Sequence, residues 1–168
     1  MAHAALRHLK LDRVVFMPTG APRYRAPAVA SGEHRVAMLR LALEKPHYEI
    51  DARELSPGAS GYTVDTLKEL RLELGADMEL FLLMGADQYA NLGSWHRPDE
   101  VQRLARIGVF ARPGISLKDT PVIPMQPMPI SSSEIRARVA RGDDISALVP
   151  RAVADYIAQH RLYAEAAR

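Results

Sequence analysis

MELFLLMG (78–85) decides the fold. From Leu80 to Met84 it is an unbroken apolar run of strand length, with no polar alternation. A run of that kind predicts a strand covered on both faces, as in a parallel sheet. Immediately upstream, VDTLKELRLELG (64–75) repeats Val64, Leu67, Leu70 and Leu74 at helical spacing. Thr63 is expected to cap that helix, Asp65 to suit its positive end, and Gly75 to close it. Downstream, a short helix at 99–105 leads into a second strand, RIGVFAR (106–112).

The same alternation extends in both directions. Residues 2–10 read as the end of a helix, RVVFMP (13–18) as a short strand, 19–32 as a Pro- and Gly-rich loop, 33–45 as a helix and 48–51 as a strand. Helices are expected at about 132–141 and 150–161, with 113–130 loop or extended. The four prolines between 121 and 129 make that segment irregular or an edge strand. Strands alternating with helices predict α/β architecture with a doubly wound parallel sheet. Such folds usually open with a strand whose loop binds the ligand. Here the first element is a helix, so the expectation is that a first strand and its loop lie upstream.

The 168 residues are about one domain's worth of chain. Apolar residues make up 48% and charged residues 25%, which excludes disordered, collagen-like and coiled-coil classes. The chain has no cysteine, which excludes disulfides and thiolate metal sites and fits a reducing cytoplasm. The longest apolar run is far short of a membrane span, and MAHAALRHLK (1–10) does not read as a signal peptide. Twenty-two basic residues against 20 acidic ones give a net charge of +2, too small an excess to argue for nucleic acid. The basic residues are scattered, with no aromatic-basic stripe.

Candidate chemistry gathers at helix starts and strand ends. In ISSSEIRARVARG (130–142), Ser131 and Glu134 form an S-x-x-E capping box. Ser132 and Ser133 then fall in the first turn, where free N–H groups and the helix dipole favour phosphate; Arg136, one turn on, can add a bidentate charge. The plainer reading is a capped helix that binds nothing. Gly85 and Asp87 follow the buried strand, at the end where such sheets bind ligands, and Asp87 could accept hydrogen bonds from a ribose; a tight turn with Asp87 as helix cap is the alternative. Trp95, His96 and Arg97 lie just beyond. Trp95 can stack on a planar ring or serve as a lid on a small core. Tyr62 and Thr63 stand at another helix start, where the Thr63 hydroxyl and N–H groups either cap the helix or receive a ligand carboxylate. Arg23 and Arg25 could reach a phosphate or be solvated. His3 and His8 lie about 140° apart around a helix, so they cannot converge on one ligand.

Together these pieces resemble one family, the bacterial nicotinate-nucleotide adenylyltransferases of the HxGH nucleotidyltransferase superfamily. The similarity runs from LDRVVFMPTGAP (11–22) through EHRVAMLRLAL (33–43), GYTVDTLKELRLELG (61–75), LFLLMGADQYANLGSWHR (80–97), VFARPG (109–114) and ISSSEIRARVARG (130–142) to VPRAVADYIAQHRLY (149–163). ISSSEIR looks like the family's ISSTxIR, with Ser133 in place of Thr. The resemblance implies a Rossmann-like nucleotidyltransferase domain over 1–168. It also implies transfer of the adenylyl group of ATP to nicotinate mononucleotide, giving nicotinate adenine dinucleotide and pyrophosphate, with Mg²⁺, in the cytoplasm. Ser132, Ser133 and Arg136 would hold ATP phosphates, and Gly85 and Asp87 the adenosine ribose. Tyr62 and Thr63 would meet the nicotinate carboxylate, Trp95 the pyridine ring, and Arg25 a phosphate.

The family's strand and G-G-T/S-F-D-P-x-H-x-G-H loop, which carries its histidine pair, does not appear in the chain, so no catalytic residue is assigned. The expectation is an N-terminally truncated domain, unstable or inactive as written. The usual P-P-H-K loop reads A-P-R-Y-R (21–25). The alternatives are a non-catalytic nucleotide-binding remnant or another member such as pantetheine-phosphate adenylyltransferase; Tyr62-Thr63 and Ser94-Trp95-His96-Arg97 favour the nicotinate enzyme. Neither a nucleic-acid nor a membrane partner is expected, and a homo-oligomer is left open.

Overall fold

The computed structural model describes residues 1–20, 28–111, 122–125 and 130–164. In chain order the elements are α1 (Ala2–Leu9), β1 (Val14–Phe16), α2 (Gly32–Ala42), β2 (Tyr48–Ile50), a 3-10 turn (Arg53–Leu55), α3 (Thr63–Leu74), β3 (Phe81–Gly85), α4 (Ala86–Ala90), a second 3-10 turn (Leu92–Ser94), α5 (Pro98–Leu104), β4 (Arg106–Phe110), β5 (Val122–Ile123), α6 (Ser132–Arg141) and α7 (Arg151–Gln159). They fall into two compact units. One contains Met1–Val14 and Ser60–Pro127, the other Val15–Ala59 and Met128–Arg168.

The first unit is built on β3. It pairs in parallel with β4 from Phe81 opposite Arg106 to Gly85 opposite Phe110, and β4 pairs in parallel with β5. The apolar run is covered on both faces, as its sequence predicts. Leu82 and Met84 belong to a core of Val64 and Leu67 from α3, Leu92 from the second 3-10 turn, Val101 from α5 and Ala105 just after it. Leu83 faces a second core of Ala5, Phe110 and Ile123 beneath α1. β5 is an edge strand of two residues, as the prolines around it require. At Gly108 on β4, a Cβ would stand 2.7 Å from a Leu83 methyl and 3.2 Å from a Leu9 methyl, so α1 packs closely over glycine and a side chain there would need those methyls to shift. The Arg71 guanidinium stitches the unit together. Nε and Nη2 donate to the Leu104 carbonyl at 2.9 and 2.8 Å, and Nη1 donates to the carbonyl of Met78.

In the second unit β1 and β2 are hydrogen-bonded neighbours, and Phe16 meets Tyr48 edge to face. Its core is Ile145, Val153 and Ile157, with Met38 and Leu41 of α2 and Ile135 and Val139 of α6 packed against it. Across α2 and α7, His34 Nδ1 lies 3.0 Å from the Tyr156 hydroxyl, and both rings touch the His160 ring.

Several local expectations are corrected. Thr63 does not cap α3: the N-cap position belongs to Tyr62, whose side chain makes no capping bond, and Thr63 is already helical. The capping box at α6 is half formed. The Ser131 hydroxyl accepts from the Glu134 N–H at 3.1 Å, but the Glu134 carboxylate turns to Arg138 at 2.9 Å. α2 stops at Ala42, with Leu43 at the C-cap, rather than at 45; Pro46 disfavours helical geometry at Lys45. Asp87 is not a cap either. β3 runs straight into α4 with Gly85 at the N-cap, so the helix for which Asp87 is the alternative cap starts one residue before it, at Ala86.

Candidate active site

Two groups of the expected residues stand in the first unit, both at helix starts. Parallel pairing puts Gly85, Phe110 and Ile123 at one end of the sheet, the carboxyl end where open α/β sheets take ligands. Gly85 is buried there and carries the chain directly into α4. Asp87 follows in the first turn of α4. Its Oδ1 is sealed from solvent and its carbonyl accepts from the Asn91 side chain at 2.9 Å.

The second group is the mouth of α3. Gly61 takes φ 75, a left-handed conformation natural to glycine, and turns the chain into Tyr62. The Tyr62 N–H donates to Ser60 Oγ at 3.1 Å, and the Tyr62 carbonyl accepts from Asp65 and Thr66. The N–H groups of Thr63 and Val64 have no partner within the helix, as helix geometry dictates, and no side chain caps them. Tyr62 and Trp95 are both half-buried against the core that contains Val64 and Leu92. Trp95 thus covers a small core, and the next ring, His96, stacks on Tyr62 with centroids 4.3 Å apart. Sequence spacing did not reveal that stack, because it joins residues 34 positions apart whose meeting depends on the packing of α3 against α5. Beside it, Glu100 accepts from Lys68 Nζ at 3.0 Å and lies 3.5 Å from Arg97. The Lys68 hydrogen bond, with Arg97 behind it, holds the Glu100 carboxyl below its ordinary range.

The third group belongs to the second unit. Ser132 and Ser133 open α6 and are exposed, as the sequence predicts. The Ser131 cap takes the Glu134 N–H and leaves those of Ser132 and Ser133 ahead of the helix. Arg136 Nη2 donates to Ser133 Oγ at 3.1 Å, so guanidinium and hydroxyl already stand together. Burial pushes the Tyr163 hydroxyl pKa up, against the opposing pull of Arg136 and Arg35. Arg25 lies outside the described residues. Among the described residues, no three His, Asp or Glu side chains gather to hold a metal ion, and no helix is long and apolar enough to cross a membrane.

At α6 a capped helix start brings two hydroxyls and an arginine together, and at α3 a helix start without a side-chain cap lies beside the stacked Tyr62 and His96 rings. The fold is that of a nucleotidyltransferase, and residues 1–138 match the cytidylyltransferase-like family. More narrowly, the chain belongs to the nicotinate-nucleotide adenylyltransferases. It is 39% identical to the protein named "probable nicotinate-nucleotide adenylyltransferase" of Laribacter hongkongensis, over 97% of this chain and 86% of that one. It is also 39% identical to the one so named from Salinispora arenicola, over 91% and 86%. The fold is that of the Plasmodium falciparum nicotinic acid mononucleotide adenylyltransferase solved in complex with NaAD. The TM-score is 0.72, at 17% identity, over 95% of this chain and 87% of that one.

Proposed function

We propose that this chain transfers the adenylyl group of ATP to nicotinate mononucleotide, in the cytoplasm. A phosphate oxygen of the mononucleotide attacks the α-phosphorus of ATP. The bond from that phosphorus to the β-phosphate bridge breaks, and pyrophosphate leaves with the electron pair. The nucleophile comes from the substrate, so the protein's work is alignment and charge stabilisation.

Ser132 and Ser133 offer N–H and hydroxyl donors to the triphosphate, and Arg136 adds guanidinium donors beyond the one engaged with Ser133. Gly85 allows backbone approach at the strand end, and Asp87 accepts from the ribose. The N–H groups of Thr63 and Val64, beside Tyr62, receive the nicotinate carboxylate, and Trp95 stacks on the pyridine ring. Arg25 steadies a phosphate. Magnesium would enter with the nucleotide, as MgATP. It lowers the charge repulsion met by the incoming phosphate.

The observation that supports the substrate assignment is the open mouth of α3, where the N-cap Tyr62 makes no side-chain capping bond and Tyr62 and Trp95 pack on the same core. Pyrophosphate release with MgATP and either nicotinate or nicotinamide mononucleotide tests it. Against the inactivity expected from the missing histidine loop, turnover with the acid is expected, with at least about tenfold less for the amide, because only the acid brings a charge to the free N–H groups. Equal rates would overturn the carboxylate assignment. ATP binding without turnover of either would favour a non-catalytic nucleotide-binding protein.

A further inference from the structure

We infer that His96 is a positioning residue for the planar aromatic acid, acting through Tyr62; the inference rests on the nicotinate assignment of the α3 mouth. The imidazole and the phenol ring stack at 4.3 Å with their planes 28° apart. Tyr62 is half-buried against the core while His96 is exposed, and the imidazole covers one face of the phenol ring. Tyr62 is then held at two points, its backbone by Ser60 Oγ and its ring by His96. It also occupies the N-cap position of α3, directly ahead of the N–H groups assigned to the carboxylate.

The segment that carries His96 is itself tightly set. The Trp95 N–H donates to the Leu92 carbonyl at 3.0 Å, and Arg97 is held left-handed at φ 53 before Pro98 starts α5. Consecutive residues therefore do complementary jobs: Trp95 lies on the core, and His96 lies on the tyrosine at the helix mouth. Loss of the imidazole frees the Tyr62 ring to rotate into the space where the pyridine must enter. The penalty falls on capture of the aromatic substrate, and nucleotide binding is spared.

Steady-state kinetics of His96→Ala and His96→Phe, varying each substrate in turn, test this. His96→Ala should raise KM for nicotinate mononucleotide about fivefold, the range that losing one aromatic stack commands. It should leave kcat and KM for ATP within about twofold of the parent. His96→Phe, which keeps a planar ring but no titratable nitrogen, should restore KM. Because His96 is exposed, both variants should melt with the parent. NMR of the Tyr62 ring gives a readout independent of turnover: its resonances should move in His96→Ala and return towards parental values in His96→Phe. Turnover by the parent with an unchanged KM in His96→Ala would overturn the inference alone, as would a Phe variant no better than Ala. A moving Tyr62 resonance in a parent that does not turn over the mononucleotide would instead overturn the functional assignment, and the positioning role with it.

Discussion

Two helix mouths in this molecule solve opposite problems. α6 is closed by its own sequence: Ser131 caps it, and hydroxyls and a guanidinium crowd the first turn. α3 is left open: its cap position is a tyrosine that makes no capping bond, and aromatic rings replace the hydroxyls. On the proposed reading, the polar mouth offers many donors to a ligand rich in oxygen, and the open mouth keeps two N–H groups for one carboxylate beside the rings that would meet the pyridine. A helix N-terminus is a generic anion attractor, and what surrounds it decides which anion it attracts.

Four experiments press on that contrast. The largest effect is expected from Arg136→Ala, which should lower kcat/KM for ATP by about 100-fold or more, as does removal of a donor to developing charge elsewhere. A loss of under about threefold would mean that α6 is not the nucleotide mouth. Trp95→Ala should raise KM for nicotinate mononucleotide about tenfold while barely changing KM for ATP; equal changes in both would erase the distinction between the two mouths.

The third experiment is a pair measured by thermal melting. Ser131→Ala should cost about 1 kcal/mol, or about 3 °C, because it removes a working cap. Thr63→Ala should cost under about 0.5 kcal/mol, because the Thr63 hydroxyl caps nothing. The reverse order would show that α3 is the capped helix in solution. The smallest effect concerns pH. Burial raises the Tyr163 pKa above its ordinary 10.0, so the folded state holds that proton more tightly than the unfolded chain. The resulting stability is complete below pH 10.0 and is lost as pH climbs through the raised value. Tyr163→Phe should flatten that alkaline decline in melting temperature and leave the neutral value nearly unchanged; an undiminished slope would assign the decline to other groups.

The sequence showed most clearly what local periodicity controls. The run at 80–84 announced a doubly covered strand, the Val64-Leu67-Leu70-Leu74 spacing announced α3, and the serines at 131–133 announced the start of α6. What it hid depended on partners far along the chain or on elements too short for a period. α4 is five residues long, barely more than one turn, and its start is set by the exit of β3. Thr63 looked like a cap because threonine commonly is one, but its backbone is already helical and the cap position falls one residue earlier. The stack of His96 on Tyr62 has no local trace, since it exists only once α5 lies against α3. The expected roles of Ser132, Ser133 and Arg136 matched a local pattern, whereas grouping Tyr62 with Trp95 came from the family resemblance.

The contact at Gly108 has a consequence for how this protein can change. A Cβ there would meet methyl groups from Leu83 on the neighbouring strand and Leu9 on α1 at once. Position 108 is therefore coupled to its neighbours: Ala there needs the Leu83 methyl to swing aside or a smaller residue at 83, and bulkier side chains need concessions at 9 as well. A combinatorial library randomised over 9, 83 and 108 should return survivors that trade volume among the three sites. The exchange should appear as strongly non-additive stabilities rather than as three independent preferences.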